Sequence, residues 1–250
     1  MLAGVRRWPT LLLATAATLT TAIALAGCAS ATPIAPSSTA SASSNPTASG
    51  VPRADCVKKL PRSAVMVDTQ PVQLIGSASR AVVVSNQSGG DLCRWMPLAT
   101  ALHARGFEVA LYNYIGAPDR NAGEILRYLR AHGVAHVALL GGSQGAKASI
   151  IAAAAATPQP DALVALSGEG YLEGVNVSDS AAKLHCPTLY VTAEHDPYGS
   201  YDANEEFQKV TPHGVSTLVV IPGADHGIQM LGDDGIQDRV LDFLDAHVAH

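Results

Sequence analysis

Residues 136–147 read HVALLGGSQGAK, an apolar run that stops at a serine between glycines and continues into an alanine-rich segment. The apolar residues 137–140 predict a buried strand, and residues 146–156 predict a helix. Gly141, Ser143 and Gly145 fit the pattern G-x-S-x-G. A turn this tight between strand and helix leaves no room for a Cβ at either glycine. A pattern this short also arises by chance in a glycine-rich chain, so the strand and helix around it give it its weight.

In a strand-to-helix turn of this kind the serine is held in a strained conformation with its Oγ exposed. The following helix directs its first N–H groups and its positive dipole end toward the same point. The pattern therefore predicts Ser143 as a nucleophile and the backbone N–H of Gln144 as a donor to a developing oxyanion. The alternative is a glycine-rich turn with no chemistry.

Strand-like and helix-like segments alternate from residue 64 onward, which predicts an α/β domain with a mostly parallel sheet. Two short apolar segments at 64–67 and 72–75, split by a proline, are consistent with an antiparallel entry hairpin, and the first two helices are predicted to begin with Asp91 as N-cap and to span 121–132. Asp196 follows the strand predicted at 188–192, and His226 follows the last strand, predicted at 217–221. Ligands in such sheets bind at the carboxyl ends of the strands, so these side chains and Ser143 are expected to meet there. A serine hydroxyl needs an imidazole to take its proton, and the imidazole needs a carboxylate to orient it. We predict Ser143 as nucleophile, His226 as general base and acid, and Asp196 as the orienting acid.

Other residues compete for these roles. Glu194, Asp202 and Glu169 are alternative acids, although Glu169 is expected to be a solvated loop carboxylate or a substrate contact. His195 and His213 are alternative bases, and Asp225 is expected only to shape the loop of His226. Tyr171 and Tyr198 either line the cleft or pack half-exposed on the surface.

From Ala81 to the C-terminus the chain resembles the α/β-hydrolase superfamily. His195-Asp196-Pro197 and residues 223–227, GADHG, are similar to the acid and histidine loops of that family. The short connection at 171–183 contains no long amphipathic helix. The chain therefore resembles dienelactone-hydrolase-type and acyl esterases more than lidded lipases. The resemblance implies the α/β-hydrolase fold, a mostly parallel central sheet with helices on both faces and no large lid.

The loop that begins at Asn86 resembles the oxyanion loop of the family, but departs from it. Most members have His-Gly where this chain has Asn86-Gln87. The second oxyanion donor is therefore left open between the N–H of Gln87 and that of Ser88.

The N-terminus predicts export. Arg6 and Arg7 precede an apolar run over 11–26, and residues 25–28, LAGC, resemble a bacterial lipobox. We expect residues 1–27 to be a lipoprotein signal peptide, with a lipid anchor on Cys28. The general secretory route is favoured, and twin-arginine export is the alternative that the arginine pair leaves open. Residues 28–54 then form a flexible Ser/Thr/Ala/Pro tether and residues 55–250 the α/β-hydrolase domain, outside the cytoplasm on the bacterial cell membrane. An ordinary cleaved signal peptide and a signal anchor are the alternatives.

Three cysteines follow Cys28. An exported domain permits a disulfide, and we predict Cys56–Cys93, with Cys186 as a buried free thiol; the alternative is three free cysteines. No spacing typical of a metal site occurs, and no organic cofactor is implied. The formal net charge of −5 and the lack of a basic run after the signal segment argue against nucleic acid as a partner.

These features predict an exported, membrane-anchored serine hydrolase that cleaves small or polymeric carboxylic esters, or thioesters, through an acyl-enzyme. A peptidase or acyltransferase could use the same three residues, because fold and triad do not fix the substrate. A non-catalytic lipid-anchored binding or envelope protein on the same fold is the alternative from another class.

Overall fold

The computed structural model of the 250-residue chain describes residues 54–57, 62–233 and 235–249. The described part forms ten strands: β1 Arg62–Val67, β2 Gln70–Ile75, β3 Arg80–Ser85, β4 Glu108–Tyr112, β5 His136–Gly142, β6 Leu163–Leu166, β7 Tyr171–Leu172, β8 Val175–Asn176, β9 Thr188–Ala193 and β10 Ser216–Ile221. Its α-helices are α1 Met96–Ala104, α2 Pro118–Ala131, α3 Gln144–Ala155, α4 Val177–Ala181, α5 Ser200–Val210 and α6 Ile236–His247. Short 3₁₀ helices cover Asp55–Val57, Leu92–Trp95 and Gly227–Gly232.

Eight of these strands form one sheet in the order β1-β2-β4-β3-β5-β6-β9-β10. The pairs β1–β2 and β2–β4 are antiparallel, whereas every pair from β4 to β10 is parallel. The prediction of a mostly parallel sheet with an antiparallel N-terminal hairpin is therefore confirmed. Because β3, β5, β6, β9 and β10 run in the same direction, the loops that follow them emerge at one edge of the sheet.

Helices cover both faces of the sheet, as predicted. Side chains alternate along each central strand, so that Val82 and Val84 of β3 enter one hydrophobic cluster and Ala81 and Val83 enter the other. The first cluster contains residues of α1 and α6, and the second contains residues of α2, α3, α4 and α5. The central strands are buried on both sides, which explains their nearly continuous apolar sequences.

Prolines account for two differences from the predicted boundaries. The helix predicted from Asp91 is a 3₁₀ turn over Leu92–Trp95 followed by α1. Pro97 has no N–H, and its ring would clash with the carbonyl four residues earlier, so a continuous α-helix cannot pass through it. Helix α2 begins at Pro118, three residues before the predicted start, because the fixed φ of proline suits the first helical position.

The connection between β6 and β9 is short, as predicted. It consists of the two-stranded hairpin β7–β8 and the five-residue helix α4. Within the described residues this connection adds no large lid over the carboxyl edge of the sheet.

The predicted disulfide is present. Cys56 and Cys93 are joined with a Cα–Cα distance of 5.6 Å, and Cys186 is a buried free thiol. The bond fastens the 3₁₀ turn Asp55–Val57 to the one at Leu92–Trp95. The predicted signal peptide, Cys28 and nearly all of the predicted tether lie outside the described residues. Within the described ranges, the helices are too short or too polar to cross a membrane.

Candidate active site

Ser143 lies in the turn between β5 and α3 with a backbone φ of 51° and ψ of −118°. L-residues with side chains rarely adopt this conformation, and it persists only where the surroundings impose it. A Cβ on Gly141 would lie 2.2 Å from the carbonyl oxygen of Gly145, and a Cβ on Gly145 would lie 2.1 Å from the carbonyl oxygen of Ser85. Both glycines are therefore required by close packing of strand, turn and helix.

His226 and Asp196 come together from the loops that follow β10 and β9. Nδ1 of His226 is 2.7 Å from Oδ2 of Asp196, whose side chain is fully buried. The backbone N–H of Tyr198 donates to the other oxygen, Oδ1, at 2.9 Å. The imidazole is thus oriented by a carboxylate through Nδ1, which leaves Nε2 facing the cleft.

The Asp196 carboxyl is charged at neutral pH. Burial raises its pKa, but hydrogen bonds from the Ser200 hydroxyl, His226 and the Tyr198 N–H outweigh burial, so its pKa lies below the ordinary value. A charged acceptor at this position fixes the tautomer in which Nδ1 carries the proton, and it stabilises the imidazolium.

Glu169 lies at the centre of the cleft, which corrects the expectation of a solvated loop carboxylate. The Ser143 hydroxyl donates to its Oε1 at 3.0 Å, and Nε2 of His226 is 3.5 Å from the same oxygen. Its other oxygen, Oε2, is 2.5 Å from Nζ of Lys147. Among the contacts of the described residues, no hydrogen bond joins Ser143 to His226 directly. Both groups instead face one carboxylate oxygen.

Lys147 is the site residue that sequence reasoning missed. It lies four positions after Ser143 at the start of α3, on the same side of the helix, and that spacing was a usable signal. Its side chain is only 14% exposed.

The cleft has a volume of about 470 Å³. Its lining is mostly polar and consists of Gln87, Ser88, Ser143, Gln144, Lys147, Glu169, Tyr198 and His226. The Tyr198 ring lies 4.4 Å from that of His226, centroid to centroid. The remaining competitors are exposed and absent from this lining: Glu194, Asp202, His195, His213, Asp225 and Tyr171.

Sequence comparisons find no match among known family profiles or curated proteins. Solved structures do match. A CIB-like hydrolase from Thermoplasma acidophilum aligns with a TM-score of 0.61 at 19% identity, over 74% of this chain and 97% of the other. An esterase from Pyrococcus furiosus aligns with a TM-score of 0.65 at 11% identity, over 78% of this chain and 94% of the esterase. Est1E from Butyrivibrio proteoclasticus aligns with a TM-score of 0.61 at 16% identity, over 74% of this chain and 98% of Est1E. The chain has the α/β-hydrolase fold.

In an α/β-hydrolase fold the loop after β3 lies beside the serine turn and supplies the second oxyanion donor. Here Asn86, a residue that is only 2% exposed, organises that loop through its side chain. Its Oδ1 accepts from the N–H of Gln87 at 2.8 Å and from the Trp95 indole at 2.7 Å. Its Nδ2 donates to the Gly90 carbonyl at 2.7 Å. The Gln87 N–H is therefore already engaged within the loop.

Of the two second donors left open by the sequence, this arrangement favours the N–H of Ser88. The Ser88 side chain is hydrogen-bonded to Tyr114, whose hydroxyl donates to Oε1 of Gln144 at 2.9 Å. Burial is the main cause that raises the pKa of Tyr114 to about 12, so this hydroxyl stays protonated. The loop is thus tied through Tyr114 to Gln144, the first residue of α3. The backbone N–H of Gln144 has no acceptor within its own helix.

The described residues of this hydrolase fold offer no group of three or more His, Cys, Asp and Glu side chains placed to hold a metal ion.

Proposed function

We propose that the chain is a serine hydrolase that cleaves carboxylic esters or thioesters through an acyl-enzyme. One observation carries the proposal: a serine in a strained strand-to-helix turn shares a cleft with an imidazole whose far nitrogen is paired to a buried carboxylate. Esterases among the solved structures of the same fold are compatible with it. A peptidase or acyltransferase would use the same residues and differ in the leaving group or the acceptor.

The reaction requires one movement of the resting site. The Ser143 hydroxyl turns from Oε1 of Glu169 to Nε2 of His226, which is 3.5 Å from that same oxygen. His226 takes the proton as Oγ bonds to the carbonyl carbon, and Asp196 stabilises the imidazolium. The N–H groups of Gln144 and Ser88 bind the oxyanion. His226 then gives the proton to the leaving alcohol or thiol, and water cleaves the acyl-enzyme by the same steps to release the acid.

We also propose that the enzyme works outside the cytoplasm and is attached to the membrane by a lipid anchor at Cys28. The sequence of residues 1–28 supports this part of the proposal.

A non-catalytic binding protein on the same fold is the second candidate. The hydrogen bond from Ser143 to Glu169 in place of one to His226, together with Asn86-Gln87 in place of His-Gly, favours it.

Labelling with a fluorophosphonate probe separates the two candidates. The full-length protein in detergent is treated with the probe and assayed with p-nitrophenyl acetate and octanoate, alongside Ser143→Ala and His226→Ala. We expect Ser143→Ala to lose labelling, and both variants to lose about 10³-fold or more in kcat/KM.

The matched controls are Ser79→Ala and His195→Ala, which remove an exposed serine and an exposed histidine away from the cleft. Both are expected to label and turn over as wild type does. Folded wild-type protein that neither labels nor hydrolyses either ester would refute the hydrolase and leave the binding protein.

A further inference from the structure

Glu169 is held in place by its neighbours on both sides. Nδ2 of the buried Asn204 donates to the Gly168 carbonyl at 2.9 Å, and the N–H of Val177 donates to the Gly170 carbonyl at 2.9 Å. The Glu169 side chain itself is only 20% exposed. The carboxylate therefore has a fixed position in the cleft rather than the freedom of a surface loop.

The two oxygens of this carboxylate have different surroundings. Oε2 is paired to the Lys147 ammonium, while Oε1 faces Ser143 and Nε2 of His226. Lys147 thus orients Glu169 so that one negatively charged acceptor points at the reacting atoms. A nucleophile and its base do not need such an acceptor between them.

Attack by Ser143 removes the only hydroxyl donor that Oε1 has in the resting site among the described contacts. In the acyl-enzyme the Ser143 proton has passed through His226 to the leaving alcohol or thiol, so this partly buried carboxylate oxygen needs another donor. In the acyl-enzyme, a substituent on the α-carbon of the acyl group is three bonds from Oγ. Because Oε1 is 3.0 Å from Oγ, such a substituent comes within hydrogen-bonding reach of Oε1.

The charges of the site decide which substituent fits. When His226 acts as the base its imidazole is neutral, and the site then holds two carboxylates, those of Glu169 and Asp196, against one ammonium, that of Lys147, which gives it a net negative charge. An ammonium group on the α-carbon would replace the lost donor with charge-assisted hydrogen bonds, whereas an anionic acyl group would be repelled.

We propose that Glu169 binds the α-ammonium group of the acyl part of the substrate, and that the substrates are esters of α-amino acids. This inference rests on the proposed hydrolase function. Glu169 is then the specificity residue of the site, and Lys147 is a positioning residue that acts through it.

Benzyl alaninate and benzyl isobutyrate test the proposal, since the two acyl groups have nearly the same shape and differ by an ammonium in place of a methyl group. Each kcat/KM of the full-length enzyme in detergent is divided by the rate of hydrolysis of the same ester by hydroxide, which removes their different intrinsic reactivity. We expect wild type to prefer the alanine ester by about tenfold or more. This measurement needs no variant.

Glu169→Gln keeps the shape of the side chain and removes its charge. We expect the preference for the alanine ester over isobutyrate, measured as the ratio of the two kcat/KM values, to fall by about tenfold or more. Glu173→Gln, an exposed glutamate in the adjacent hairpin, is the matched control and should retain the wild-type preference.

The outcomes separate failure of this inference from failure of the proposed function. Ester turnover with no preference in wild type would overturn the inference alone. An equal loss on both esters in Glu169→Gln would show that Glu169 acts on the His226 imidazolium, and an equal gain would show that it restrains Ser143. Absence of probe labelling and of turnover on every ester would overturn the proposed function and this inference with it.

Discussion

At the scale of single residues, the most constrained point in the molecule is the backbone of Ser143. A non-glycine residue at φ 51° and ψ −118° costs on the order of 1–3 kcal/mol, which the packing around the turn has to offset. That packing depends on close backbone contacts among β3, β5 and α3. A methyl group is enough to disrupt them.

Gly145→Ala tests this account. Its Cβ would overlap the Ser85 carbonyl oxygen, so the helix must move away from β3. We expect the free energy of unfolding to fall by about 3 kcal/mol or more, measured by urea denaturation.

Gly123→Ala in α2 is the control, because a Cβ there meets nothing within 4 Å. That change should stabilise the protein by up to about 1 kcal/mol, since alanine favours a helix over glycine. Equal stability of the two variants would mean that the turn can relax around a side chain at position 145.

The positions of Ser143, Asp196 and His226 were predictable because each follows a strand in a parallel sheet, a relation that sequence order alone reveals. The role of Glu169 was not. It also follows a strand, but its partners Lys147 and Ser143 belong to another element, and only the packing of α3 against the end of β6 brings them together. Hydrogen-bond partners distant in sequence leave no local pattern to read.

At the scale of elements, the disulfide fixes a segment that has little packing of its own. The 3₁₀ turn Asp55–Val57 buries Val57 and is bonded through Cys56 to Cys93, in the turn that precedes α1. The same turn ends at Trp95, which is hydrogen-bonded to Asn86. The disulfide therefore supports the loop that would supply the proposed second oxyanion donor.

Replacing Cys56 and Cys93 together with serine is expected to destabilise the domain by roughly 2–4 kcal/mol, because the bond closes a loop with a sequence separation of 37 residues. Thermal unfolding with and without dithiothreitol measures the effect. The reductant should lower the Tm of wild type toward that of the double variant and leave the variant unchanged. A wild-type Tm that is insensitive to complete reduction would contradict this prediction.

Element boundaries were less predictable than element types. The sequence indicated strands and helices in the right order, but Pro118 lies inside α2 rather than before it, and Pro97 divides the predicted first helix into a 3₁₀ turn and α1. In both cases the same residue that can stop a helix also suits its first turn. The outcome depends on packing that the local sequence does not contain.

At the scale of the whole molecule, the proposed anchor would join the domain with the α/β-hydrolase fold to the membrane through the predicted tether, residues 28–54. Cys28→Ser removes the thiol that would receive the lipid. We expect the variant to lose incorporation of labelled palmitate and to move from the membrane fraction to the soluble fraction of lysed cells. Cys186→Ser is the control for a general loss of thiols and should remain with the membrane. Membrane association of Cys28→Ser equal to that of wild type would favour an uncleaved signal anchor.

Trp95 gives the domain a built-in optical reporter. The chain has two tryptophans, Trp8 and Trp95, and the first belongs to the segment that we expect to be removed. The indole of Trp95 is buried and donates to Oδ1 of Asn86. Its ring also packs against Gly142, since a Cβ on that glycine would lie 3.3 Å from the ring. Its fluorescence therefore comes from the junction between the loop after β3 and the serine turn. Ligand entry, the proposed acylation of Ser143 and loosening of that loop can each be followed there without an added label.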